Sequence, residues 1–565
     1  MRMPNPINSA ILEIEGIITS AVTKLMEDGE LPKIDLPEFK VEVPNDRTHG
    51  DFAVNVAMVC ARNFKMAPRK IADMIISAAE LTGTNFDKID VAGPGFINLT
   101  LNPKWFGEVV STVVRNGADY GRTDLGEGKR MLVEFVSANP TGPMHIGNAR
   151  GGAMGDCLAG VLSLAGYDVD REFYINDAGN QIERFATSLE VRYLQIYKGD
   201  SVEMPEDAYM GDDIKEHAQN FSEEYGDKFV ECDSKTRRDA LTEYALPINI
   251  NLLEEHLRKY RIEYDCWFKE SILHENGEVD RVIEILKEKG YTYEKEGALW
   301  FKATEFGLDK DYVLVRANGL VTYVVPDIAY HYNKLVVRGY DKAINILGAD
   351  HHGYSARLKA AIKALGIDDS RLDIVLMQMV RLMRDGELIK ASKRTGKSIT
   401  LSTLLEEVPI DAARFFFNMR EANTHFDFDL GLAVEESSNN PVYYVQYAHA
   451  RICSIISALE SEGIKAGELS SDELAILTAN EERELIRHLA MLPNEVNESA
   501  KSYDPSRITR YLLELATLFH KFYTACRVKV EDENLMNARL QLIIATKSVI
   551  NNLLTMMKID APESM

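Results

Sequence analysis

Apolar residues recur at helical spacing from Ile11 to Met26, and a strand-like run follows at Phe39–Val43. Helical and strand-like patterns keep mixing through HGDFAVNVAMVCARNF and VAGPGFINLTLN, as far as the Gly-rich segment NGADYGRTDLGEGKR. That mixture predicts an α+β unit over 1–120. MLVEFVS then reads as a short buried strand. The loop SANPTGPM leads from it into His145 and a long Gly- and Ala-rich helical run, and DREFYIND reads as a second strand. Strand, loop, helix and strand in this order make half of a nucleotide-binding α/β unit. Residues 195–300 are more charged and helical by spacing, so they read as an insertion between two halves of one sheet. Strand patterns return over 300–400 in VLVRANGLVTYVVPD, KAINILGAD and RLDIVLMQMV, and Asp385-Gly386 carries a hairpin signal. Their separation by turns and helical stretches favours a parallel sheet.

From about 405 onward the pattern is helical to the end. Val442, Val445, Ile452, Ile455, Ile456 and Leu459 fall on one stripe, and Ile508, Tyr511, Leu512, Leu515, Phe519, Phe522 and Tyr523 on another. The expected fold class is therefore α/β. A Rossmann-like parallel-sheet domain over 121–404, interrupted at about 195–300, stands between an N-terminal α+β domain (1–120) and a C-terminal all-α bundle (405–565).

Composition narrows this picture only slightly. The chain has 565 residues, room for roughly three to four structural units. Its 88 acidic and 64 basic residues leave a formal charge of -24, which argues against a simple polyanion binder but leaves room for local basic strips. None of the six cysteines forms a Cys-x-x-Cys pair, so neither a zinc knuckle nor a redox motif is legible. The opening MRMPNPINSAILEIEGI has no apolar core of signal-peptide length, and no run approaches the ~20 apolar residues of a membrane span. A soluble, cytoplasmic protein is expected.

The strongest chemical signal is Pro143-Met144-His145-Ile146-Gly147-Asn148, placed after a strand and opening a helix. Such a helix end offers free N–H groups and a positive dipole to phosphate. His145 can donate to phosphate oxygens, and Gly147 lets a flat adenine approach the backbone. The second signal is Lys390-Ala391-Ser392-Lys393-Arg394-Thr395-Gly396, whose cations can clamp a pyrophosphate leaving group. Alone, the first reads as an ordinary helix start and the second as a solvated basic loop. In this order, each at a strand end, the pair is far more specific, because ligands of open α/β sheets sit at the carboxyl ends of strands.

The pair resembles the HIGH and KMSKS signatures of class I aminoacyl-tRNA synthetases. It departs from the first at Asn148 and from the second at Ala391 and Arg394. Further stretches resemble the arginyl-tRNA synthetase family in particular. Glu134–Pro143 is similar to the run before its HIGH motif, and His49–Ala53 and Pro94–Asn98 to its N-terminal domain. Gly297–Trp300, Tyr323–His331 and Gly348–Gly353 resemble its catalytic core, and Tyr444–Arg451 and Ala561–Met565 its anticodon-binding bundle. The likeness runs along nearly the whole chain and is weakest across 195–260.

The resemblance implies a two-step reaction. Arginine and ATP give arginyl-adenylate and pyrophosphate, then the terminal ribose of tRNA(Arg) takes the arginyl group at its 2′ hydroxyl. The first step is expected to need bound tRNA. His145, Lys390, Lys393 and Arg394 would stabilise the phosphates in flight. Pro143, Gly147, Asn148, Gly348, Asp350 and His351 would join His145 and Lys393 around ATP, with Mg²⁺ carried by the nucleotide. For arginine, Asp327 would pair the guanidinium and Tyr323 would pack against or hydrogen-bond the side chain. Glu134, Ser137 and Asn139 would serve the α-amino end, and His352 would line the substrate. A guanidinium is planar, permanently charged and rich in donors, so carboxylates in a fork geometry suit it. Plainer readings stand beside these: Asp327 as a helix N-cap, Glu134 as an edge carboxylate, Asn139 as a turn residue.

Adjacent His351 and His352 point in different directions and lack a third ligand at suitable spacing, so no protein-bound metal is expected. The resemblance assigns tRNA contact to Phe96, Gln446, Tyr447 and Arg451, although Tyr443, Tyr444 and Tyr447 fit a helix core as well as a stacking platform. It also suggests a monomer. Rival readings are a class I synthetase for another amino acid such as cysteine or lysine, a small nucleotidyltransferase, and a tRNA-binding paralogue without catalysis. The missing zinc spacings disfavour the cysteine enzyme, the long helical bundle the nucleotidyltransferase, and the intact His145 and Lys393 the paralogue.

Overall fold

The computed structural model describes residues 5–44, 46, 49–389 and 399–565. At the N-terminal end, helix Pro6–Glu27 starts with the Asn5 side chain accepting from the backbone N–H of Asn8 at 3.0 Å, and Pro6 occupies the first turn, where no donor is needed. Its buried face of Ala10, Ile14, Ile18 and Val22 borders a four-stranded antiparallel sheet in the order Val41–Glu42, Phe52–Val54, Phe96–Leu101, Phe86–Ala92. Helix and strand do mix here as the patterning predicts.

The centre is a five-stranded parallel sheet. Its order is Leu372–Met377, Lys342–Gly348, Arg130–Glu134, Asp168–Ile175, Cys266–Lys269. Arg130–Glu134 comes first in sequence yet lies in the middle, and later strands are added on both sides of it. The order therefore reverses between Arg130–Glu134 and Lys342–Gly348, and a crevice opens above their carboxyl ends, the usual ligand position in such sheets.

Three stretches differ from the patterning. Residues 195–300 are not wholly an insertion. The helices Asn180–Lys198, Asp212–Tyr225 and Ser234–Lys259 do build a separate small core around Phe185, Tyr193 and Phe221, but Cys266–Lys269 returns to the central sheet as its edge strand. Four residues are too few to show a strand period. Next, VLVRANGLVTYVVPD is not one strand. Tyr312–Val315 pairs antiparallel with Ala298–Phe301 in a separate three-stranded sheet, and Val324–Tyr332 is a helix. Val324, Val325, Ile328 and Ala329 are all buried at helical spacing, and Pro326 is tolerated because it sits in the first turn. Lastly, the region after 405 holds one strand, Phe426–Asp429, parallel to Val380–Arg384, with Phe426 and Phe428 turned inward in the alternation of a strand. The hairpin signal is correct: Asp385 and Gly386, both at positive φ, join Val380–Arg384 to Glu387–Ile389.

Four long helices, Pro441–Ser461, Asn480–Ser502, Ser506–Ala525 and Glu533–Met556, form the C-terminal bundle. Its last helix meets the His145 helix, Ile146–Leu164, so closely that a Cβ on Gly160 would stand 2.7 Å from Met556 Sδ. A buried ionic cluster locks this junction. Asp156, fully buried on the His145 helix, receives Arg414 Nη2 at 2.5 Å and Arg171 Nε at 2.8 Å, with Lys558 at 3.4 Å. Arg414 also donates to the carbonyls of Met557 and Tyr260. Burial pushes the Asp156 carboxyl up, but the three cations outweigh it and leave the group below its ordinary range. No helix among the described residues is long and apolar enough to cross a membrane.

Removing one partner of such a pair strands a buried charge. Arg414→Met should lose about 3–5 kcal/mol of stability. Urea unfolding should show a clear fall in midpoint that Asp156→Asn/Arg414→Met partly reverses. A single variant as stable as the parent would contradict the assignment.

Candidate active site

The chain leaves strand Arg130–Glu134 through a strained turn. Val136 and Ser137 both adopt positive φ, at 69° and 40°, a conformation that β-branched valine adopts only under constraint. The turn folds Ser137 back, so its Oγ donates to Glu134 Oε1 at 3.0 Å and accepts from the Tyr174 backbone at 3.1 Å. Asn139 follows, half-buried. Asn249 Nδ2 ties down the Pro140 carbonyl at 2.9 Å.

Pro143 and His145 are exposed on either side of buried Met144, and His145 stands at the N-cap of helix Ile146–Leu164. Its backbone N–H is held by Asn148 Oδ1 at 2.9 Å. Open space surrounds the place where a Cβ of Gly147 would be, so no side chain among the described residues fills that approach. Thr400 pairs with His145 in an isolated bridge, and Leu401 donates to the Met144 carbonyl. Lys390, Lys393 and Arg394 lie outside the described residues.

Across the crevice, strand Lys342–Gly348 ends at a Gly whose Cβ would lie 2.5 Å from Asp350 Oδ1. Asp350 and His351 are exposed and 3.7 Å apart. His352 begins helix His352–Ala364, and its side chain lies outside the described structure.

A second group of candidate residues gathers around Asp327. Asp327 is not at a strand end or an N-cap; it sits on helix Val324–Tyr332, one turn after Tyr323, which takes the N-cap position. The Tyr354 hydroxyl donates to the Asp327 carboxylate. The Tyr323 ring, 67% exposed, stacks on Tyr354 at 5.9 Å. Asp327 titrates at about 7, raised first by desolvation and further by the charges of Glu270 and Glu134; the Tyr354 bond and Lys334 only partly oppose this. Glu270 is raised too, first by burial and then by Asp177, while Tyr174 Oη, donating at 2.8 Å, and His274 pull the other way. Glu134 is satisfied by buried Lys334 at 2.5 Å. No Lys or Arg among the described residues forms an ion pair with Asp327 or Glu270; His274 Nε2 lies 3.8 Å from Glu270 Oε1. Two desolvated carboxylates with hydroxyls around them, still short of a countercharge, make a receptor for a cation.

Glu270, Tyr174 and Tyr354 thus join Glu134, Ser137, Tyr323 and Asp327, and sequence reasoning missed all three. Tyr354 stands one residue past the Gly348–Gly353 motif. Glu270 directly follows Cys266–Lys269, the strand hidden inside the supposed insertion. Among the described residues no cluster of three or more His, Cys, Asp or Glu could hold a metal.

The residues expected to meet tRNA divide. Gln446 is buried on the inner face of helix Pro441–Ser461, where its amide nitrogen donates to Asp411 Oδ2 at 2.8 Å and to the Asp560 carbonyl at 2.9 Å. Tyr447 is exposed, with Arg451 Nη1 donating to its hydroxyl at 2.7 Å. The Arg451 guanidinium also lies 4.5 Å from the Tyr523 ring centre. These three side chains and Met565 line a cavity of about 410 Å³. On the other side of Tyr447, a second cavity of about 380 Å³ is lined by Tyr443, Tyr444 and His520. Burial and Arg451 keep His520 below its ordinary pKa. Tyr523, His520 and Met565 were not foreseen. Phe96 is half-buried at the tip of the hairpin Phe86–Leu101, and no hydrogen bond or ring contact among the described residues links it to Tyr447 or Arg451.

Comparison with known proteins covers the whole chain. The model of the arginyl tRNA synthetase N terminal domain matches residues 12–101, that of the tRNA synthetases class I (R) catalytic domain 109–450, and that of the DALR anticodon binding domain 445–565. The arginine–tRNA ligase of Acetivibrio thermocellus is 52% identical over 564 residues, and that of Caldanaerobacter subterraneus subsp. tengcongensis 54% over 563, each alignment covering 100% of both chains. The solved arginyl-tRNA synthetase of Thermus thermophilus superposes with a TM-score of 0.72 at 22% identity, covering 96% of this chain and 99% of that one; at this identity the likeness concerns the fold alone.

Because the Tyr354 hydroxyl favours the charged form of Asp327, Tyr354→Phe should move the Asp327 titration above its value of about 7. Carboxyl-¹³C aspartate labelling, with Asp327→Asn to assign the signal, reads this directly. An unchanged or lower value would show that the hydrogen bond does not act as described.

Proposed function

The chain belongs to the arginyl-tRNA synthetase family, and we propose from this premise how its residues divide the work of joining L-arginine to tRNA(Arg) with ATP. The carrying observation is the pair Asp327 and Glu270, desolvated and short of a countercharge. In our reading the guanidinium lies between these carboxylates, with Tyr323 and Tyr354 against its plane and edge. The α-amino end then points to Ser137, Glu134 and Asn139, with His352 nearby. Adenine lies over Gly147, in the space that no side chain among the described residues fills. The phosphates meet the open N–H groups of the helix, beside His145, Pro143 and Asn148 on one wall and Gly348, Asp350 and His351 on the other.

In the first step an oxygen of the arginine carboxylate attacks the α-phosphorus of ATP, the bond to the bridging oxygen breaks, and pyrophosphate leaves. In the second the ribose 2′ hydroxyl attacks the activated carbonyl, loses its proton and expels AMP. No protein nucleophile is required; the protein positions the reactants and supplies fixed charge. His145 sits where negative charge grows, and Lys390, Lys393 and Arg394 are proposed to act with it. Mg²⁺ arrives with ATP and screens its phosphates.

For the second substrate, we assign unpaired bases at the anticodon end of tRNA to the two cavities flanking Tyr447. Tyr443, Tyr444, Tyr447 and Tyr523 offer π-faces there, and Arg451 offers charge. Phe96 and the 1–120 region would meet the tRNA elsewhere, the 121–404 region would carry the chemistry, and 405–565 the anticodon end. The free thiols suit a reducing cytoplasm, and a monomer is proposed.

The direct test is charging of total tRNA with one labelled amino acid at a time. Only arginine should enter, and arginine-dependent pyrophosphate exchange should stay near background without tRNA. Charging with lysine instead would keep the two-carboxylate pocket but discard the fork geometry assigned to it.

A second test follows from the protonation of Asp327. A guanidinium pairs with the carboxylate, so the proton held below pH 7 must leave when arginine binds. The KM for arginine should therefore rise by about ten-fold from pH 8 to pH 6, while the KM for ATP changes far less. A KM for arginine independent of pH over that range would remove Asp327 from guanidinium recognition.

A further inference from the structure

Asp327, His331 and Lys334 stand at i, i+4 and i+7, so they share one stripe of a helix whose other faces are apolar. Lys334 belongs to a π-type turn, Asn333–Val337, that continues the helix, and none of its surface reaches solvent. Its ammonium donates to Glu134 Oε2 at 2.5 Å and to Asn345 Oδ1 at 3.1 Å, and lies 3.9 Å from the Tyr330 ring centre. Asn345 Nδ2 is 2.8 Å from His331 Nε2, and His331 Nδ1 is 2.7 Å from the carbonyl oxygen of Asp327.

The direction of every bond in this chain is fixed. A lysine can only donate, so Asn345 presents its oxygen to Lys334 and its NH₂ to His331. His331 Nε2 must therefore accept, which leaves Nδ1–H to donate to Asp327. The imidazole is neutral, because burial and the Lys334 charge push its pKa down to about 3. At the other end, Ser137 Oγ donates to the second oxygen of Glu134. One hydrogen-bonded chain thus runs from Ser137 and Glu134, on the central strand, through Lys334, Asn345 and His331, to the backbone that carries Asp327.

We propose that Lys334, Asn345 and His331 are positioning residues that fix the separation between the two ends of the arginine pocket, and that this frame sets the length of side chain the enzyme accepts. The inference rests on the pocket assignment above. Ser137 and Glu134 hold the α-amino end, and Asp327 holds the guanidinium; neither end touches the other directly. An ammonium, an amide and an imidazole, each with its donors and acceptors matched, make a stiffer spacer than apolar packing alone. None of the three needs to touch arginine.

The test substitutes Asn345, which lies buried on strand Lys342–Gly348 and breaks the frame without altering either end. Asn345→Leu removes both bonds. Asn345→Asp keeps an acceptor for Lys334 but sets a carboxylate oxygen, with its charge, against the His331 Nε2 lone pair; it breaks the link to His331 in another way and covers the case in which the leucine variant does not fold. Aminoacylation is measured with arginine and with its homologues one methylene shorter and longer. In either variant the KM for arginine should rise roughly ten-fold while the KM for ATP stays within about two-fold. The preference for arginine over the longer homologue, as a ratio of kcat/KM, should also fall roughly ten-fold.

A purely structural role would lower stability and move both substrates' KM values together. Folded variants with unchanged arginine KM and unchanged length preference would overturn the proposal. A wild-type protein that charges no arginine would instead fail the functional reading itself, and the frame with it.

Discussion

A lysine ammonium buried against a glutamate at the centre of a parallel sheet is the contact on which the active-site architecture depends. Taking both charges out of water costs several kcal/mol for each ion, and the attraction repays this only if the remaining donors and acceptors are met. Here they are met: Lys334 has Glu134, Asn345 and the Tyr330 ring, and Glu134 has Lys334 and Ser137. Glu134 ends the first strand of the sheet, Asn345 lies on the neighbouring strand, and Lys334 extends the helix that carries Asp327. One ionic contact thus joins the three elements that border the crevice. The positive φ of Val136 and Ser137 is a consequence, because the chain must turn sharply for Ser137 to reach Glu134.

Beside that pair the protein keeps two carboxylates that accept from tyrosine hydroxyls but pair with no lysine or arginine among the described residues. Asp327 and Glu270 repel each other in a desolvated pocket, and both hold their protons more tightly than in water. A bound cation relieves the repulsion and restores their charge. The chain's overall charge of -24 explains none of this; the selectivity is local, in how Lys334 is engaged by Glu134 and forms an ion pair with neither of the other two acids. The junction around Asp156 serves a different end. It ties the helix that begins at His145 to the segment just after the last helix of the C-terminal bundle.

Much of this was legible in the sequence, and the failures have physical causes. His145 and Gly147 were readable because a strand, a loop and a helix start impose their own residue types. The strand Cys266–Lys269 was not, since four residues carry no period, and Glu270 was lost with it. Val324–Tyr332 was mistaken for strand because valines and tyrosine favour both states, although Pro326 fits the first turn of a helix. The polar stripe Asp327, His331, Lys334 was present at clear helical spacing but could be read only once the segment was known to be helical. Gln446 sits between exposed and buried neighbours on an amphipathic helix, and one residue's rotation decided that it faces Asp411. The cavity beside Tyr447 closes with Met565, about 120 residues later in the chain, and no local pattern announces such a contact.

The central claim is that arginine lies with its two ends held apart by this frame. A crystal structure of the protein with bound arginine tests it most directly. The account predicts the guanidinium within hydrogen-bond reach of both the Asp327 and Glu270 carboxylates, and the α-amino group at Ser137 and Glu134, with the bonds among Lys334, Asn345 and His331 intact. Arginine bound in the reverse direction, or a guanidinium that leaves Asp327 and Glu270 without a partner, would contradict it.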